Sequence, residues 1–217
     1  MTVWDLPLRL FHWSFMISVF GAIISGKMGQ WHVHERFGLA ILGLVIFRVI
    51  WGFIGSETAK FSRFITGPKA VLRTIMDLAQ KKSSSKLGHG PLGGYATIAL
   101  LAIPFMMALT GAFSTDDILF DGPFYHLMPD WAQMAGNIHH FGEKLVFLII
   151  LLHLFALLYY VLRLKKNLVK PMVTGRTNRG EGVDGTLSFS RTIFGLALLV
   201  LLAGGAQFAT QLRPSFF

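Results

Sequence analysis

Five stretches of this chain, at residues 8–26, 37–55, 92–113, 145–162 and 192–212, carry almost no charge. Each is close to the roughly 20 residues that a helix needs to cross the hydrocarbon core of a bilayer. No water reaches a backbone in that core, so its N–H and C=O groups must be satisfied within the segment, which a helix does. The composition agrees: 53% of residues are hydrophobic, 14% are charged, and the mean hydropathy is +0.56, outside the range of soluble domains. The expected fold class is therefore an all-α integral membrane protein with five spans. The first stretch is kept as a span and not read as a signal peptide, because it carries His12 and Trp13 in its apolar part and lacks an A-x-A-like end.

The basic residues orient the spans. Residues 56–90 hold seven Lys and Arg, residues 163–191 hold another seven, and residues 114–138 hold none but carry Asp116, Asp117, Asp121 and Asp130. The positive-inside rule then places the N-terminus and both basic segments in the cytoplasm and the C-terminus on the far side. The net charge of +9 resides mostly in these flanks, so it does not indicate nucleic-acid binding, for which interleaved stacking aromatics are also missing. Residues 68–82 set Val71, Leu72, Ile75 and Leu78 against Lys69, Arg73, Asp77 and Lys81, the pattern of an amphipathic helix on the inner leaflet. Residues 81–86 read as a flexible connection, and residues 177–191 as a cytoplasmic, glycine-rich hinge ahead of the last span.

The chain has no cysteine. That removes disulfides, thiolate-held iron–sulfur clusters, thiolate zinc sites and covalent c-type haem. A metal centre within the spans must then rely on its eight histidines, and a polar ring at membrane depth is costly enough to point to a function.

Depth and helical phase sort these histidines. His139 and His153 are fourteen residues apart, which on a helix returns to within about 40° of the same direction, about 21 Å further along. With the N-terminus inside, His12 and His153 lie near the inner face, and His34 and His139 near the outer. Each pair draws one imidazole from each of two helices, the arrangement that gives a haem iron its two axial nitrogens. His140 is thirteen residues from His153 and about 140° away around the helix, so His139 is the better ligand. His34 is preferred to His32, because Gly38 one turn on lets a flat macrocycle approach the backbone. Gly26, fourteen residues after His12, would give the outer haem room. Arg48, fourteen after His34, falls at the inner level, where its guanidinium suits a haem propionate. His89, in Gly88-His89-Gly90-Pro91, is a candidate for a second propionate or a quinone oxygen.

Several of these segments together resemble one family. Val3-Trp4-Asp5-Leu6-Pro7 through Phe11-His12-Trp13, His34-Glu35-Arg36-Phe37-Gly38, Phe47-Arg48 with Trp51-Gly52-Phe53-Ile54-Gly55, Gly88-His89-Gly90-Pro91, Ile138-His139, Leu152-His153 and Met172-Val173-Thr174-Gly175-Arg176 look like prokaryotic cytochrome b561, in particular the branch related to the cytochrome b subunit of nickel–iron hydrogenases. The resemblance implies a four-helix transmembrane bundle over residues 1–176 with two non-covalent b-type haems, ligated by His12, His34, His139 and His153. Residues 192–217 then add a fifth, C-terminal transmembrane helix. It also implies residence in the bacterial cytoplasmic membrane, in lipid. The expected role is that of an electron-transfer subunit of a respiratory oxidoreductase, moving electrons between quinone or quinol and a periplasmic c-type cytochrome, hydrogenase or dehydrogenase. The four aspartates between the third and fourth spans suit a positively charged partner and disfavour the alternative of a superoxide oxidase that feeds quinone. A histidine-lined ion transporter is the alternative from another class, but the spans lack deep acidic residues and repeated Gly/Pro breaks.

Overall fold

The computed structural model describes residues 1–80, 90–115, 120–177 and 184–212. The described residues form seven α-helices: α1 (Leu6–Lys27), α2 (Trp31–Ile54), α3 (Pro68–Ala79), α4 (Pro91–Phe113), α5 (Ala132–Leu162), α6 (Val169–Thr174) and α7 (Phe189–Gly205). Short 3-10 turns and two isolated bridges complete them. Five helical segments are long and apolar enough to cross a membrane: α1, α2, α4, α5 with the turn before it, and α7 with the turn after it. The chain is thus a multi-pass membrane protein. The helix of the fourth span starts well before its apolar run at 145, because Ala132, Ala135 and Gly136 bury a small-residue face that continues it. As a result His139 and His153 share one unbroken helix. The connection at residues 81–86, His89, Asp116, Asp117 and residues 178–183 of the hinge lie outside the described residues.

The helices contribute to two compact units. The first comprises Met1–Leu10, Arg48–Leu100 and Ile149–Leu196. Its centre is the buried Asp5, whose carboxylate accepts the Leu8 N–H at 2.7 Å, the Trp51 indole N–H at 3.2 Å and the Ser56 hydroxyl. By taking the Leu8 N–H, Asp5 caps the first turn of α1. The segment before it is tied down by Val3 N–H to Gly175 O at 2.7 Å and by the Thr58 hydroxyl to Val3 O at 2.5 Å. Gly175 ends α6 in the left-handed region, at φ 78°, a conformation that costs glycine nothing. Trp4-Asp5-Leu6-Pro7 and the Gly175 turn are therefore two halves of one hydrogen-bonded closure. On α3, Leu72 and Ile75 are exposed and project from a different side than Lys69 and Arg73.

The second unit comprises Phe11–Phe47, Leu101–Leu148 and Ala197–Phe217. Within it α7 packs on α2 at Gly43, where a Cβ would collide with the backbone of Leu202 and Ala203. Gln207, just past α7, donates to Arg36 O at 3.1 Å. In the first unit the same helix brings Gly195 against Trp51 and Pro7. Small residues that admit a neighbouring backbone are the usual means of joining helices in lipid, where no hydrophobic force separates protein from solvent.

Candidate functional site

The second unit brings His34 of α2 and His139 of α5 together. Their ring centroids are 5.8 Å apart and their planes lie at 84°. Each ring is fixed from behind in the same way. His34 Nδ1 lies 2.7 Å from Ala22 O on α1, and His139 Nδ1 lies 2.8 Å from Met107 O on α4. A carbonyl oxygen has no proton to give, so both Nδ1 atoms are donors, and the lone pair of each neutral imidazole is at Nε2. Both rings are thus held with Nε2, the nitrogen that could coordinate a metal, left over.

The reason these carbonyls are reachable lies four residues downstream. Ala22 O and Met107 O are covered, on their own helices, by the side chain one turn on, and that residue is Gly26 in one case and Gly111 in the other. A Cβ on Gly26 would stand 2.9 Å from His34 Nδ1, and one on Gly111 2.8 Å from His139 Cε1. The space beside Gly26 is thus filled by the imidazole of His34. Sequence reasoning missed Gly111. The signal that could have found it is the shared spacing, a glycine four residues after the carbonyl that receives the imidazole proton.

A cavity in the same unit is lined by Trp31, His34, Glu35, Gly38, His139 and His140, among others. A Cβ on Gly38 would meet nothing within 4 Å, so this residue leaves the approach to its backbone open. His140 is exposed and touches His139 edge-on, at 6.2 Å between centroids. His32 is exposed beside Phe120. Among the described residues no group of three or more His, Cys, Asp and Glu side chains could hold a metal, so the histidines here offer a pair of donors and not a cage. Two metal–nitrogen bonds of about 2 Å each, plus the two ring radii, require a centroid separation on the order of that seen between His34 and His139. The separation would allow the two imidazoles to hold one metal ion between them.

His12 lies on α1 in the second unit, in edge-to-face contact with Trp13 at 5.3 Å. His153 lies on α5 in the first unit. Arg48 is also in the first unit and is 1% exposed, so its guanidinium is turned into the protein and does not snorkel to an interface. It donates to Ala59 O at 3.1 Å and stacks on Phe61 at 4.6 Å and Phe64 at 5.9 Å, within electrostatic range of Asp5. Its buried Nη1 has no hydrogen-bond partner among the described residues, which leaves its N–H groups for an anion. Outside the spans, Glu57 receives Lys60 and both Nε and Nη2 of Arg63. These cations pull its carboxyl down to about 2.

Helices that cross a membrane and present two imidazoles to one another, each with its second nitrogen tied to a backbone carbonyl, define a membrane protein of the cytochrome b type. The sequence model of the family described as prokaryotic cytochrome b561 matches residues 3–175. The chain belongs to that family, whose members bind haem b and carry electrons across membranes. Comparison with curated proteins and with solved structures returned no match.

Proposed function

We propose that this chain is a di-haem electron carrier between membrane quinone and an extracytoplasmic redox partner. The observation that carries the reading is the His34–His139 pair, 5.8 Å apart, with both Nδ1 atoms engaged. His34 and His139 hold the outer haem b non-covalently. His12 and His153 hold the inner one, assigned from helical phase and topology. Two histidines on each iron leave no open coordination position, so the bound haems supply one-electron transfer and not oxygen chemistry.

The chain's own residues orient and tune. Carbonyls of Ala22 and Met107 fix the ring planes and raise the basicity of Nε2. Gly38 admits the flat group, and Arg48 offers Nη1 to a propionate. The bundle is formed by α1, α2, α4 and α5, with α7 as an added helix, in the bacterial cytoplasmic membrane with the N-terminus inside. There α3 lies on the inner leaflet. Asp121, ahead of the 3-10 turns before α5, and Asp130, within the second of them, favour a cationic partner such as a c-type cytochrome, with a hydrogenase or dehydrogenase as the other partner class.

The test is a dithionite-minus-air absorption spectrum of purified protein, with haem counted per chain. Two b haems are expected, and quinol should reduce both. His139→Ala should lose one haem, whereas His140→Ala should keep two. A colourless, folded protein would end the proposal, and haem loss in the His140 variant alone would overturn the ligand assignment.

A further inference from the structure

A polar cleft of about 450 Å³ opens in the first unit, where α1 and α7 begin and α6 ends. Arg9, Arg176, Thr174, Thr186, Thr192 and Asp5 are among its lining residues. Three of the four threonine hydroxyl protons there are already spent. Thr174 donates to Lys170 O, Thr186 to Asp184 Oδ1 and Thr192 to Ser188 O. Both oxygens of Asp5 are engaged by Leu8, Trp51 and Ser56, and its charge is offset by the buried Arg48 of the same unit. Asp184 Oδ1 is likewise held, by the N–H groups of Thr2 and Thr186.

Among the described residues, the charged donors left to a ligand are therefore guanidinium N–H groups, with the Thr2 hydroxyl beside them. Arg9 is braced by its Nη2 donating to Val173 O at 2.6 Å, while its buried Nε has no hydrogen-bond partner. The missing side chain of Gly175 makes room for it, since a Cβ there would stand 2.7 Å from Arg9 Nη1. Arg176, next in sequence, is exposed at the same cleft. Two cations against the single carboxylate of Asp184 leave a positive surplus, and a fork of N–H donors matches the oxygens of a phosphate.

We infer that this cleft binds a phosphate group through Arg9 and Arg176. Its place at the starts of two membrane-crossing helices puts it at the level of lipid headgroups, and a soluble phosphate would offer the same chemistry. The experiment uses the full chain with haem bound. One arm measures binding of phosphatidic acid by native mass spectrometry, against phosphatidylcholine. The other follows thermal unfolding as inorganic phosphate replaces chloride at constant ionic strength. Each is run on the parent chain, on Arg176→Gln and on Lys69→Gln, a basic-residue control outside the cleft, with haem content reporting that the fold is retained. Losing one charge-assisted bond should weaken phosphatidic acid about tenfold or more in Arg176→Gln and leave Lys69→Gln within about twofold. The same dependence in the inorganic phosphate arm identifies a soluble phosphate as sufficient; dependence in the lipid arm alone identifies the headgroup. Equal losses in the two variants, or no binding in either arm, would overturn the inference.

Discussion

Gly111→Ala is the sharpest perturbation of the paired-imidazole site. The new methyl group would stand 2.8 Å from His139 Cε1 and 3.0 Å from its Nδ1, inside contact distance. The ring cannot simply swing away, because its Nδ1 is held 2.8 Å from Met107 O. Overpacking of this kind costs about 1–3 kcal/mol, and weakening the hydrogen bond adds about 1 kcal/mol. A total of about 2–4 kcal/mol corresponds to haem retention on the order of 30- to 1000-fold weaker at that site. Gly26→Ala should act alike on His34, whose Nδ1 would lie 2.9 Å from the added carbon. The assay is haem per chain together with a potentiometric titration. The variants should lose the outer haem or, where it is retained, show its midpoint raised, because an imidazole deprived of its carbonyl acceptor is a poorer donor to the oxidised iron. Gly204→Ala, with nothing within 4 Å of the added carbon, is the control. If Gly111→Ala matches that control in both haem content and midpoint, the carbonyl clamp does not govern the site.

Three further outcomes are expected. Arg48→Met leaves buried Asp5 without its compensating charge and should cost about 3 kcal/mol or more, read as a lower thermal midpoint; an unchanged midpoint would show that the two charges do not depend on one another. The Glu57 carboxyl sits at about 2 instead of 4.5 in the folded chain, so its link to Lys60 and Arg63 stabilises the loop above about pH 4.5 and is lost as the pH falls towards 2; hydrogen-exchange protection over residues 55–65, corrected for the intrinsic rate at each pH, should fall in that window in the parent chain but not in Glu57→Gln. Gly43→Leu drives a side chain into the α7 backbone at Leu202 and Ala203, and should make the segment around residue 190 more sensitive to protease while haem content holds.

The apolar runs made the spans legible, because a bilayer imposes a minimum length that few other environments require. The fourteen-residue spacings were legible too, since helical phase depends only on counting. Depth and phase put His34 with His139, and the structure brings these two side chains together. The backbone acceptors behind them were not legible. Which carbonyl an imidazole reaches depends on how α1 and α4 are rotated about their axes, and an almost uniformly apolar helix carries no periodic signal for that rotation. The cradle around Arg48 was hidden for another reason: Ala59, Phe61 and Phe64 follow the span in an irregular segment, whose path no repeat encodes.

The Val3–Gly175 hydrogen bond joins the first and last residues of the family match, and this bears on how the protein is made. The acceptor for the Val3 N–H is more than 170 residues downstream, so the strap that leads into α1, held early through Thr58, Trp51 and Ser56, lacks this last bond until α6 has left the ribosome. A chain halted before Gly175 would have inserted α1, α2, α4 and α5 but would lack this latch, a point at which quality-control proteases would meet an unsealed end. Of the helices, only α7 is synthesised after Gly175, and the bonds of Thr2 to Asp184 and Gly185 ahead of it extend the same latch.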